Sequence, residues 1–257
     1  MEFFDSHAHY NDSQFEKEQE NLLEEIYLAG VTKMICAGYD VPSSMQALSL
    51  AKKYAFVYAT CGISPNDIPK EQCLEKELEQ LYKIARREKI VAIGEIGLDY
   101  HYQTENKQLQ IKTFLYQIQL ANECNLPIVI HTREAVDDTL AVLRKEPVKR
   151  KGVFHCCPFN KELVRQALQL GFYISFAGPV TFKNAKNAPE IIEMVPMEKM
   201  LIETDSPYLA PEPKRGKRND SRNLVYIAQK IAEIKNCTLQ EVTKTTYQNA
   251  ESVFGIN

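Results

Sequence analysis

Short apolar runs alternate with longer amphipathic stretches from one end of the chain to the other, and this alternation constrains the fold most strongly. Continuous apolar runs are typical of parallel strands that are buried on both faces. Stretches with an apolar residue at every third or fourth position are typical of helices that cover a sheet. The predicted strands are residues 3–5, 33–37, 57–61, 91–95, 128–131, 153–155, 173–176 and 200–203. The predicted helices are residues 13–29, 42–54, 71–88, 105–124, 134–143, 161–170, 188–195, 221–235 and 239–254.

Eight strand–helix units in 257 residues predict an α/β protein of one particular kind, a closed (β/α)8 TIM barrel. An open doubly wound sheet is the alternative, but no glycine fingerprint for a dinucleotide follows the first strand. No linker rich in proline, glycine or serine divides the chain. We therefore expect a single domain over residues 1–257.

Composition narrows the class of protein further. The net charge is −3, so any polyanionic substrate must be met by a local basic patch. The sequence shows neither a secretory signal nor an apolar stretch long enough for a membrane span. The seven cysteines are an odd number without a CxxC pair, which favours reduced thiols in a cytoplasmic protein. No obligate protein partner is indicated.

Polar side chains of metal-ligating type stand at, or just past, the ends of five predicted strands. Four of the five histidines of the chain are among them. The C-terminal ends of barrel strands converge on one rim, so these side chains should lie together. The candidate ligands are His7, His9, Glu95, His131, His155 and Asp205.

Six ligands are too many for one catalytic zinc, which usually takes three from the protein. We therefore expect two divalent ions, with Glu95 as the bridging carboxylate. Imidazole and carboxylate together suit zinc or manganese better than magnesium, and the metal identity stays open. Such a pair would activate a water for hydrolysis. Glu95 and Asp205 are the candidate catalytic residues: Asp205 either accepts the proton of the water or acts as a ligand alone.

At these positions the sequence closely resembles the TatD family of metal-dependent deoxyribonucleases, within the wider amidohydrolase-like barrel superfamily. The matching segments are DSHAH at 5–9, GEIGLDY at 94–100, LPIVIHTR at 126–133, HC at 155–156, LIETDSPYL at 201–209 and GKRN at 216–219.

The resemblance implies a two-metal barrel that trims single-stranded DNA from its 3′ end, in DNA degradation or repair. By residue match, His7, His9, Glu95 and Asp205 resemble the ligands of one ion, and Glu95, His131 and His155 those of the other. Two departures, Ser64 in place of a frequent histidine and Cys157-Pro158 after the His-Cys pair, bear on substrate preference.

The candidate substrate contacts are Arg133, Ser206, Tyr208, Lys217 and Arg218. The planar fork of Arg133 suits a phosphate, although pairing with a neighbouring acid is equally compatible with the sequence. The basic segment 214–218 follows the last strand, so it can meet phosphates at the rim or remain a solvated loop. Tyr208 can stack a base or simply pack there.

These observations predict phosphodiester hydrolysis on DNA. The first alternative is a small-molecule amidohydrolase or esterase on the same binuclear barrel, because fold and ligands are shared across chemistries. The second is a binding protein without activity, which the complete ligand set disfavours.

Overall fold

Eight parallel strands alternate with helices in the computed structural model, which describes residues 1–101 and 105–256. The strands are β1 (Phe3–Ala8), β2 (Val31–Cys36), β3 (Val57–Cys61), β4 (Ile90–Asp99), β5 (Ile128–Arg133), β6 (Gly152–Phe154), β7 (Tyr173–Phe176) and β8 (Met200–Ile202). The helices are α1 (Gln19–Leu28), α2 (Val41–Lys53), α3 (Glu71–Ile84), α4 (Lys107–Cys124), α5 (Val136–Lys145), α6 (Lys161–Gln169), α7 (Ala188–Met194), α8 (Leu224–Lys235) and α9 (Leu239–Phe254).

The strands stand in the order β1 to β8, and each pairs in parallel with the next. Consecutive order around one sheet is that of the (β/α)8 barrel, so the predicted fold is confirmed and the open doubly wound sheet is excluded.

Buried hydrogen bonds join the seam between β1 and β8. The buried Asp5 carboxylate accepts from the Thr204 backbone N–H at 3.0 Å and from the hydroxyls of Thr204 and Ser221 at 2.6 Å and 2.5 Å. The backbone continues the seam past β8, where the N–H of Asp205 donates to the carbonyl of His7 at 2.9 Å. The first and last strands are thereby held side by side.

Apolar side chains fill the end of the barrel at which the strands begin. One cluster collects residues of six strands together with the C-terminal part of α9: Phe4, Ile35, Ala92, Val129, Val153, Leu201, Ala250, Val253, Phe254 and Ile256. Because α9 packs against the strand starts, this end of the barrel is closed. The accessible end is the one at which the strands terminate.

Several elements differ in their bounds from the sequence-based prediction. β1 continues to Ala8 and β5 to Arg133, so His7 and His131 lie inside strands. β4 continues to Asp99, so Glu95 lies inside the strand and not at its end. The predicted helix 13–29 divides into a 3-10 turn, Ser13–Phe15, and α1, because the Phe15 ring is buried against Tyr10 at 4.8 Å and turns the chain. The predicted helix 221–235 likewise begins as a 3-10 turn, Ser221–Asn223.

In the parts of the chain that the structure describes, none of the helices has the length and apolar character needed to cross a membrane.

Candidate metal centre

The six side chains predicted as metal ligands meet at the C-terminal mouth of the barrel. They lie on, or within three residues after, the strands β1, β4, β5, β6 and β8: His7, His9, Glu95, His131, His155 and Asp205. These residues are far apart in the sequence, and the closure of the barrel brings them together.

The Glu95 carboxylate lies between two pairs of imidazoles. Its Oε2 is 3.5 Å from His7 Nε2 and 3.8 Å from His9 Nε2. Its Oε1 is 3.0 Å from His131 Nδ1 and 3.3 Å from His155 Nε2. Each oxygen of one carboxylate therefore faces its own pair of nitrogens, which is the arrangement that a bridging ligand requires.

Asp205 completes the first of these two groups. Its Oδ1 lies 3.2 Å from His9 Nε2 and 3.8 Å from His7 Nε2. By these distances the two groups hold four and three donor side chains, with Glu95 common to both. Asp205 also converges with His7 and His155, so the two groups adjoin each other.

The donor spacing fits small divalent cations. Ligand atoms about 2.0–2.1 Å from a tetrahedral zinc are separated by about 3.4 Å, and the spacings in the cluster lie between 3.0 Å and 3.8 Å. Two ring nitrogens approach each other in each group, at 3.1 Å for His7 and His9 and at 3.3 Å for His131 and His155. Nitrogens and carboxylate oxygens that converge in this way form a donor set suited to zinc or manganese.

A β-bulge directs Glu95 into the barrel. Ile93 pairs with Ile128 and Ile96 with Ile130, so three steps on β4 oppose two on β5. Bulges re-aim side chains and are frequent next to active sites. Gly94 is required here because a Cβ at this position would lie 2.5 Å from the Cβ of Val129.

Two buried carboxylates support the histidines from outside the donor groups. Asp99 Oδ2 accepts from His131 Nε2 at 2.9 Å, and Glu203 Oε1 lies 3.3 Å from His155 Nδ1. Carboxylates in this position fix the tautomer and the orientation of a ligating imidazole. Sequence reasoning assigned neither role, although each residue lies in a motif beside a predicted ligand, Asp99 four residues after Glu95 and Glu203 two residues before Asp205.

The electrostatics of the cluster keep its carboxylates ionised. Burial alone would raise the pKa of Glu95, but the charge of His155 and hydrogen bonds from the histidines hold it well below its usual range. Burial likewise opposes the proton on His155, yet Glu95 and Glu203 raise the pKa of this imidazole well above its usual value. Against the effect of burial, the neighbouring carboxylates also raise the pKa of His9 and His131, whereas burial lowers the pKa of His7.

The cluster forms the floor of a cavity of about 950 Å³. All eight strands, or the loops that follow them, contribute to its lining. On the side of β3 to β5, the lining includes Ser64, Asp67 and Arg133. On the side of β6 to β8, it includes Phe159 and Leu209. One wall is thus polar and charged, and the opposite wall is largely apolar.

Comparison with known proteins gives the family. The profile of the TatD-related DNases matches residues 4–255. The chain belongs to the TatD family. It is 40% identical over 255 residues to the metal-dependent hydrolase YabD of Bacillus subtilis (strain 168), covering 99% of both chains. It is 36% identical over 261 residues to the metal-dependent hydrolase YcfH of Escherichia coli (strain K12), covering 100% of this chain and 97% of YcfH.

A solved structure agrees with this assignment. The crystal structure of YJJV, a TatD homologue from Escherichia coli K12, superposes with a TM-score of 0.94 at 27% identity, covering 99% of this chain and 98% of that one. The resemblance predicted from the motifs is confirmed, and the protein is a TatD-family metal-dependent hydrolase whose clustered histidines and carboxylates are able to hold metal ions.

The residues predicted to contact substrate in this TatD-family chain have different environments. Arg133 and Tyr208 line the cavity. Ser206 is fully buried, and its hydroxyl donates to Thr204 Oγ1 at 2.7 Å, so the structure does not bring this predicted contact to the cavity with Arg133 and Tyr208. Ser206 instead helps to shape the loop that carries Asp205.

The two predicted basic contacts also differ. Lys217 is exposed on the loop after β8. Arg218 pairs with Glu18, donates to the carbonyl of Gln14 at 2.7 Å and lies over the Phe15 ring at 4.9 Å. The guanidinium of Arg218 therefore joins its loop to the 3-10 turn before α1, whereas the Lys217 ammonium extends from an exposed position.

Proposed function

We propose that this protein is a metal-dependent phosphodiesterase that removes nucleotides from the 3′ end of single-stranded DNA. The observation that carries the proposal is the Glu95 carboxylate with two imidazoles facing each of its oxygens, on the floor of a single cavity. We assign the ligands of two divalent ions to His7, His9, Glu95, His131, His155 and Asp205.

The chemistry divides between the ions and the side chains. When bound, two divalent ions lower the pKa of a water and polarise the phosphoryl oxygen. Asp205 accepts the proton of the attacking water. Its carboxyl is ionised and so has a free lone pair, because hydrogen bonding to His9 outweighs burial and lowers its pKa. The guanidinium of Arg133, on the polar wall, orients the phosphate through paired hydrogen bonds.

The cavity attracts an anionic substrate only when metal cations are bound in it. Among the described residues, Arg133 lines the same cavity as the carboxylates of Asp67, Glu95, Asp99 and Asp205. When the histidines are neutral, as metal ligation requires, this lining carries a net negative charge and repels a phosphate. Two divalent ions would offset the four carboxylates and leave an excess of positive charge.

The size of the cavity and the charge of its rim favour the unpaired end of a DNA strand as substrate. Its volume lies at the upper limit of small-ligand sites, about 300–1,000 Å³, so it holds a terminal segment and excludes a base-paired duplex. Lys214 and Lys217, exposed on the loop after β8, extend positive charge from the rim and suit the phosphates of a strand leaving the cavity. Seven free cysteines fit the cytoplasmic location that the sequence predicts.

The test is cleavage of end-labelled single-stranded DNA by the purified protein with manganese, zinc or magnesium. We expect stepwise shortening from the 3′ end, which Glu95→Ala abolishes together with bound metal. Glu134→Ala is the matched control, because this carboxylate pairs with His101 in an exposed position of the loop after β5. An intact, metal-loaded wild type that leaves DNA uncut would refute the proposal.

The apolar wall around Phe159 and Leu209 favours the second candidate, a small neutral ester or amide as substrate. Lys217→Glu separates the two. It weakens the cleavage of DNA if phosphates pass over the loop after β8, and it leaves the hydrolysis of a small neutral substrate unaltered.

A further inference from the structure

Two tyrosines lie against the ring of His9, on the cavity side of the metal centre. The ring centroid of Tyr39 is 5.7 Å from that of His9 with an interplanar angle of 61°, and the Tyr208 centroid is 6.2 Å away at 63°. Both tyrosines line the cavity, and Tyr208 is 48% exposed. We call this pair, Tyr39 and Tyr208, the aromatic shelf.

The first ring of the shelf is fixed by its hydroxyl. Tyr208 donates to Asp12 Oδ2 at 2.7 Å. The other oxygen of Asp12 accepts from the backbone N–H of Gln14 at 2.7 Å and caps the 3-10 turn Ser13–Phe15. The exposed ring is therefore held in one orientation by an acid that is itself held by the backbone.

The backbone that carries the second ring is fixed by hydrogen bonds. The N–H of Tyr39 donates to Ser43 Oγ at 2.9 Å, and its carbonyl accepts from the N–H of Ser64 at 2.8 Å. The preceding residue, Gly38, accepts from the backbone N–H of Glu95 at 2.7 Å. The loop that carries Tyr39 is thus hydrogen-bonded directly to β4 at Glu95.

The described aromatic residues of the opposite wall are less exposed than Tyr208. Phe176 is 1% exposed, and Phe159 is partly buried against the hydrophobic core. Among the described aromatic residues of the lining, Tyr208 is the most exposed, and it lies next to His9 together with Tyr39. Rings fixed before binding lose little conformational entropy when a flat group stacks on them.

We propose that the aromatic shelf stacks the base of the terminal nucleotide whose phosphodiester bond is cleaved at the Glu95 centre. The proposal rests on the nuclease function proposed above and identifies a determinant of its specificity. Every base presents a flat π-face, so stacking tolerates any sequence. A base held in a duplex has both faces covered, so the shelf selects unpaired ends.

The test compares two single-stranded oligonucleotides that differ only in the terminal nucleotide, which carries a base in one and is abasic in the other. The measured quantity is the ratio of the two cleavage rates. Stacking of about 1–3 kcal/mol per base corresponds to a ratio of about 5 to 150 in the wild type. In the double variant Tyr39→Leu/Tyr208→Leu, which keeps apolar volume and removes both π-faces, the ratio falls towards one.

Two controls accompany this comparison. Tyr39→Phe keeps the ring and should keep the ratio. Tyr116→Leu removes a 40% exposed tyrosine from α4, away from the cavity, and should also match the wild type. A double variant whose ratio equals that of the wild type would overturn the proposal while leaving the nuclease function intact.

A binding measurement separates the shelf from catalysis. The monophosphate of 2-aminopurine deoxynucleoside loses fluorescence when its base stacks, so we expect quenching on the metal-loaded wild type and little on the double variant. Equal quenching on both proteins, or none on either, contradicts the shelf. Quenching by a wild type that cleaves neither oligonucleotide supports the shelf as a nucleotide site and refutes the nuclease.

Discussion

Replacing Asp99 by asparagine should weaken metal binding without altering any proposed ligand. Within residues 1–101 and 105–256, three donors converge on this carboxylate: the His101 backbone N–H at 2.8 Å to Oδ1, and His131 Nε2 at 2.9 Å and Asn66 Nδ2 at 3.2 Å to Oδ2. These hydrogen bonds outweigh burial and hold the pKa of Asp99 below its usual range. An asparagine has one acceptor and one donor, so in either orientation its amide N–H₂ faces a donor.

The consequence for His131 follows from its two nitrogens. If the amide N–H₂ of the variant faces Nε2, the ring must move its proton to Nδ1, the atom that lies 3.0 Å from Glu95 and would face the metal. If the amide oxygen faces Nε2, a neutral acceptor replaces a charged one. Asp99 is 1% exposed, so solvent does not compensate. Loss of a hydrogen bond to a charged group is worth about 1.5–3 kcal/mol, which is about 10- to 150-fold in the dissociation constant.

Calorimetric titration of the metal-free protein with zinc or manganese measures this change. We expect the site that includes His131 to weaken by that factor in Asp99→Asn, and the site that includes His7 to keep its affinity. Asp138→Asn is the control, since this half-buried carboxylate accepts the Tyr100 hydroxyl at 2.7 Å on the same face of the barrel. Dissociation constants within about twofold of wild type for Asp99→Asn would refute the reasoning, because the expected range follows from the cost of that hydrogen bond.

Two further outcomes follow from buried charge. Glu95 raises the pKa of His155 above 6.5, so this ion pair stabilises the metal-free protein fully below pH 6.5 and is lost as the pH rises through the raised pKa. Metal binding at pH 7 should therefore release protons and tighten as the pH increases; binding heats that are identical in buffers of different ionisation enthalpy would contradict this. Asp5→Ala should lower the free energy of unfolding by about 3–5 kcal/mol in urea titrations, because it leaves buried donors of Thr204 and Ser221 without their acceptor. Asp5→Asn keeps an acceptor and should cost less, so equal stability of Asp5→Ala and wild type would exclude this role of the seam.

The sequence by itself determined the barrel and the meeting place of the six candidate ligands. Strand and helix periodicity are local properties, and in a closed parallel barrel the order of strands along the chain is their order in space. A polar residue at the end of an apolar run therefore has a known destination. This is why the sequence predicts the same mouth for His131 and His155, although the two residues are 24 positions apart.

Only the tertiary structure decided how those side chains are oriented and supported. The bulge that directs Glu95 inward is a mismatch between β4 and β5, and neither strand encodes it alone. The support of His155 by Glu203 joins residues 48 positions apart, and the pairing of Arg218 with Glu18 joins residues 200 apart. The burial of Ser206 likewise depends on the loop around it. Periodicity records which face of an element is apolar, whereas these contacts depend on the distances between elements, which packing alone sets.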